Sequence, residues 1–158
     1  MRHPPLALTL AALLTSTAAA AGPPIRLADR VELSDASGAT AAVREQCGLQ
    51  TGLPQWVAAA ASDVELVSGR PEGGRVLELR VVEVQAPGGG PFSGPKSLIV
   101  AAELKQDGRT VATARSKRLT VEPFGGTCGQ LGKVGRAIAV DIGAWLADPT
   151  KGAELGDR

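Results

Sequence analysis

The sequence has no tyrosine, and its single histidine is His3. His3 falls inside an amino-terminal targeting segment. The chain that remains therefore cannot run a Ser-His-Asp or Cys-His relay, and it cannot build a histidine-ligated zinc site. Cysteine is confined to Cys47 and Cys128, and a pair locked together supplies neither a thiolate ligand nor a nucleophile. Catalysis is left with carboxylates, with Lys or Ser-Lys pairs, or with metal held by oxygen alone. Paired carboxylates do the work of glycosidases, but only when two acidic side chains face each other across a cleft. Glu32 with Asp35, Asp63 with Glu65, and Glu78 with Glu83 show no spacing that singles them out. No catalytic residue, metal site or cofactor is expected.

A run of apolar residues long enough to cross a bilayer, about 20 residues, is also lacking. The apolar stretch Leu6–Leu14 is instead the centre of a targeting segment covering residues 1–21. Arg2 and His3 open it, and the small residues Ala18–Ala21 form the cleavage region. No cysteine stands at that point to carry a lipid. Residues 22–150 are then one exported domain that does not span the membrane, placed in an oxidising compartment such as the periplasm, with 151–158 as a disordered tail. Loss of Arg2 leaves 16 basic residues against 16 acidic ones, so no global field draws nucleic acid.

Each cysteine is followed by glycine and stands where a helix begins: QCGLQTGL around Cys47 and TCGQLGKV around Cys128. In an exported chain an even pair reads most simply as a disulfide. The other readings are two buried free thiols, or a reactive thiol that has no base beside it.

One stretch has a single clear period. Leu131, Val134, Ile138, Ile142 and Trp145 recur at steps of three and four, which predicts a helix ending near Ala147, before Pro149. Gly132, Gly135, Ala139 and Gly143 make a flat second stripe about a quarter turn away, and the alanine run Ala58–Ala61 of an earlier helix (about 49–61) has a surface smooth enough to lie on it. Thr127 is the expected N-cap. Strands are expected within Ile25–Leu33, best placed around Arg30–Ser34, over Asp63–Ser68 and over Arg75–Gln85, where Leu77, Leu79 and Val81 face one way and Glu78 and Arg80 the other. Ser97–Lys105 and Arg109–Val121 flank Asp107-Gly108, the strongest hairpin signal in the chain. Pairing Gln106 with Arg109 and continuing without interruption sets Glu103 against Ala112 and Ala101 against Ala114. Ile99, Ala101, Ala112 and Ala114 then face the helices. The expected fold is α+β: a mostly antiparallel sheet of four to five strands with two helices on one face, in the order β-α-β-β-β-β-α.

Between two of these strands lies APGGGPFSGP, residues 86–95. It matches no phosphate-loop pattern and reads as a flexible connection. Phe92, Ser93 and Lys96 form a possible binding tip there, because a lone aromatic on a glycine-rich loop can reach a partner's pocket. Arg115 and Lys117 share a strand face as a possible anion patch, with Arg118 pointing away.

The carboxy-terminal half carries GTC followed by a helix ending D-I-x-x-W-L-x-x-P: Asp141, Ile142, Trp145, Leu146 and Pro149. This pattern resembles a set of small exported proteobacterial proteins. The resemblance implies an envelope location and supplies no activity. The element order is also similar to periplasmic accessory domains of the amino-terminal TolB type and to auxiliary lipoproteins of lipid transporters, although their lipid-bearing cysteine is missing here. The reading that follows is a noncatalytic periplasmic binding or accessory protein whose partner is an envelope protein or an anionic polymer. Its alternatives are a small carboxylate-dependent hydrolase of a cell-wall polymer and a structural protein self-associating through a strand edge. Partner identity and oligomeric state are not written in the chain.

Overall fold

The computed structural model describes residues 22–87, 94–122 and 126–157. Its elements are β1 (Ile25–Ala28), a 3-10 turn (Asp35–Ser37), α1 (Ala41–Gln46), α2 (Leu49–Ala60), β2 (Val64–Val67), β3 (Arg75–Gln85), β4 (Lys96–Gln106), β5 (Arg109–Thr120), α3 (Thr127–Ala147) and β6 (Ala153–Gly156). The fold is α+β, with one six-stranded sheet in the order β2-β1-β3-β4-β5-β6.

The long strands β3, β4 and β5 are antiparallel neighbours, and the short outer strands are parallel to theirs. Parallel neighbours need a crossover between them. The crossover from β1 to β2 contains α1 and α2, and the one from β5 to β6 contains α3. Both crossovers bring their helices to the same side of the sheet. The core there joins Leu53 and Val57 of α2 and Leu131, Ile138 and Ile142 of α3 to Leu77, Val81, Val100, Ala102 and Ala112 of the sheet.

The two helices approach as closely as their small residues allow. A methyl group placed on Gly143 would lie 2.8 Å from the carbonyl oxygen of Ala60, and one on Gly135 would lie 2.5 Å from the Trp56 ring. The stripe of small residues on α3 therefore does receive the alanine-rich end of α2. Cys47, at the end of α1, and Cys128, in the first turn of α3, form the disulfide, 81 residues apart in sequence. It pins the junction between α1 and α2 to the start of α3. Closing so long a loop is worth roughly 4 kcal/mol in a chain-entropy treatment.

The α+β class is as expected, but the sheet has six strands rather than four to five and there are three α-helices rather than two. Four further expectations are corrected. The first strand is Ile25–Ala28 rather than Arg30–Ser34, because the chain bulges outward after Ala28 and rejoins β3 only at the Leu33–Val81 bridge. Gly126, not Thr127, caps α3. Residues 153–156 form a sheet strand where the sequence predicts a disordered tail; the hydrogen bonds of Arg118 and Asp157 described below hold it. The β4–β5 hairpin turns at Asp107 (φ 49°) and Gly108 (φ 80°) as expected, but its ladder shifts by one residue after the Lys105–Thr110 pair. Val111 is the inserted residue, so Leu104 pairs with Ala112, Ala102 with Ala114 and Ala101 with Arg115. A slip of one residue exchanges the faces of a strand. Ala112 and Ala114 keep the helix side, while Ile99 and Ala101 move to the opposite side and Leu98, Val100, Ala102 and Leu104 take their places against the core.

Candidate functional site

Among the described residues no helix covers the second face of the sheet. Its rungs follow from register. Glu78, Glu103 and Thr113 lie on one; Arg80, Ala101, Arg115 and Glu154 on the next; Glu83, Ile99 and Lys117 on the third. A groove of about 700 Å³ runs over this face, floored by Glu78, Arg80, Ala101, Glu103 and Thr113 and walled by segments 28–34 and 69–71.

A proline in α2 helps set that wall. Pro54 has no N–H to give Gln50, the residue four earlier, so the Gln50 carbonyl is left over within the helix. It accepts instead from Val31 N–H at 2.8 Å, and Arg30 donates to the Gln50 side chain at 2.7 Å. The bulged segment is thereby tied to α2. Ser68 donates to Asp29 at 3.0 Å and joins the two wall segments to each other.

On the groove floor both carboxylates, Glu78 and Glu103, are already engaged. Glu78 stands directly opposite Glu103 across the β3–β4 ladder, an arrangement that costs energy unless the charges are compensated. Lys105 donates to Glu78 at 2.7 Å and Thr110 donates to Glu103. The hydrogen bond to Glu78 also holds the Lys105 ammonium above its ordinary pKa. This facing pair escaped the sequence because it depends on the β3–β4 register, which no local signal encodes.

The residues singled out from sequence separate. Arg115 and Lys117 do share the open face, in a second recess of about 390 Å³ with Ile99, Glu154, Leu155 and Asp157. β6 thus brings acidic neighbours to a patch that looked purely basic. Arg118 turns to the helix side, where it donates to Asp141 at 2.6 and 2.9 Å and to Asp157 at 3.0 Å. Asp157 also accepts from Leu119 N–H at 2.9 Å, and chiefly for that reason its carboxyl titrates below its ordinary value. These contacts dock β6 on β5 and α3.

Lys96 is fully buried, its ammonium donating to the carbonyls of Pro87 at 2.9 Å and Gly94 at 3.1 Å. It fastens the base of the loop from inside instead of presenting itself at a tip. Phe92 and Ser93 lie outside the described residues. Among the described residues no three Asp, Glu, His or Cys side chains are grouped to hold a metal ion, and no helix is long and apolar enough to cross a membrane.

Fold and site together define a disulfide-linked α+β domain with helices on one sheet face and a charged groove on the other. No family model and no curated protein matches the chain. Solved structures similar to it include the PelC dodecamer from Paraburkholderia phytofirmans, with a TM-score of 0.49 and 17% identity, covering 80% of this chain and 93% of that one. A point variant of the same PelC has a TM-score of 0.46 and 16% identity, covering 75% and 85%. A likeness of this degree says nothing about ligand or assembly.

Proposed function

We propose that this chain is a noncatalytic binding or accessory module of an oxidising envelope compartment, the periplasm, and that it engages its partner through the groove on the open sheet face. The observation that carries the reading is the uncovered face itself: a floor of small and charged side chains, walled on one side, in a domain whose other sheet face is filled. The disulfide supports the compartment, since such bonds persist where the surroundings are oxidising. The resemblance of the GTC…D-I-x-x-W-L-x-x-P segment to small exported proteins points the same way. A photo-crosslinking residue at Thr113, in the full exported chain, tests the surface, with the exposed α3 position Val140 as comparison. Products specific to position 113 support the reading; identical profiles from both positions refute it.

A second reading, a carboxylate-dependent hydrolase of a cell-wall polymer, is favoured by the Glu78–Glu103 pair, which provides two acidic side chains across one groove. The engagement of both by Lys105 and Thr110 favours binding over turnover. Cleavage of cell-wall polymer by the purified protein, abolished in Glu103→Gln, would establish the hydrolase instead.

A further inference from the structure

We propose that Arg80 and Arg115, flanking Ala101 on one rung of the open face, form a clamp for the acidic group of an anionic saccharide whose body lies in the groove. This rests on the reading of the chain as a binding module. Arg80 pairs with Ala101 on β4, and Ala101 pairs with Arg115 on β5. Neighbouring strands lie about 4.8 Å apart, so the two arginine backbones stand about 10 Å from each other with only a methyl group between their side chains. That gap admits a planar or tetrahedral oxyanion, and the forked guanidinium suits such a group in a bidentate fashion.

The two guanidinium groups are also unused. Arg26, Arg44, Arg75 and Arg118 hold carbonyls or carboxylates of this chain, whereas Arg80 and Arg115, like Arg70 on the groove wall and Arg109 at the hairpin turn, have no hydrogen-bond or ion-pair partner among the described residues. Of the acidic groups around them, only Glu154 shares the rung. Glu78 is bound to Lys105, Glu103 accepts from Thr110, and Glu154, in register with Arg115, makes no ion pair among the described residues. Lys117, one rung further, adds a third cation. The groove volume of about 700 Å³ is in the range that takes a small-molecule-sized body. Glu78, Glu103 and the Thr113 hydroxyl on its floor are acceptors for sugar hydroxyls, so the acidic end is directed to the arginines and the hydroxyl-rich end to the carboxylates.

The test is titration of the disulfide-intact protein with an oligogalacturonate, its carboxyl-reduced neutral counterpart and a glycerol phosphate oligomer. The expected result is salt-sensitive binding of a charged oligomer and no binding of the neutral one. Which charged oligomer binds more tightly tells carboxylate from phosphate. Arg80→Gln or Arg115→Gln should each weaken binding by about tenfold or more, the worth of one charge-assisted pair. Arg80→Lys should recover part of it, and Arg109→Gln, at the exposed hairpin turn, should change nothing. Equal losses in Arg80→Gln and Arg109→Gln, or no binding of either charged oligomer, would overturn the clamp. Should the clamp fail while crosslinks from position 113 persist, the partner is a protein and the module reading stands. Loss of both removes the groove as the binding surface.

Discussion

Two glycines of α3 should respond in opposite directions to the same change. Gly132 and Gly143 are both interior helix residues, and replacing a helix-interior glycine with alanine favours the helix by about 1 kcal/mol when nothing else intervenes. At Gly132 nothing does. The nearest atoms to an added methyl are the guanidinium nitrogens of Arg136 at 3.7 and 3.8 Å, the far end of a flexible side chain. Gly132→Ala should therefore stabilise the protein by about 1 kcal/mol, or about 3–4 °C in midpoint for a domain of this size. At Gly143 the methyl meets the backbone of Ala60, with oxygen at 2.8 Å and carbonyl carbon at 3.1 Å. Separations below 3 Å force α2 and α3 apart, and the disulfide between Cys128 of α3 and Cys47, two residues before α2, opposes that movement. Overpacking of this kind costs about 1–3 kcal/mol, which exceeds the helix gain. Gly143→Ala should be destabilised by about 1 kcal/mol or more. Urea denaturation of both variants with the disulfide intact decides it. Equal stabilisation in the two would refute the close packing of α2 on α3.

Three further outcomes are expected. Replacing Cys47 and Cys128 together with alanine should lower stability by roughly 4 kcal/mol, read as a shift in the urea midpoint; a midpoint unmoved by the replacement would contradict the bond as a major support. The Asp157 carboxyl is held below its ordinary value by the Leu119 N–H and then by Arg118, so its contribution is present above that ordinary value and fades as pH falls through the lowered one. The protection of the amides of residues 153–156, measured relative to intrinsic exchange at each pH, should fall below about pH 4, where an ordinary carboxyl titrates, and should be low at every pH in Asp157→Ala; a protected strand in that variant would show that the clasp is not what holds it. Lys96→Met keeps the bulk of the side chain but removes the donor to the Pro87 and Gly94 carbonyls, so a loss of about 1–3 kcal/mol is expected by chemical denaturation, and full stability would show that the buried ammonium is dispensable.

The core helix, its small-residue stripe, the cysteine pair and the hairpin turn were legible because each is a local pattern: a 3.6-residue period, two Cys-Gly starts, and Asp-Gly between apolar runs. The parallel outer strands were not. β1 and β6 have four residues each, and their pairing is fixed by the crossovers and by the Arg118 clasp, which no local signal records. The bulge at Val111 was equally silent, because an alternating strand reads the same in either register until the helices select a face. That one-residue shift hid the site. With Ala101 assigned to the core, Arg80 and Arg115 could not be seen as neighbours across it, and the groove floor did not exist.

As proposed, the open face binds an acidic polymer and leaves it intact. Incubating the disulfide-intact protein with end-labelled anionic cell-wall oligosaccharides and reading both the bound fraction and the chain length by mass spectrometry addresses it directly. The bound fraction should fall in Arg80→Gln, and the oligosaccharides should keep their length. Shortened products that vanish in Glu78→Gln or Glu103→Gln would contradict it.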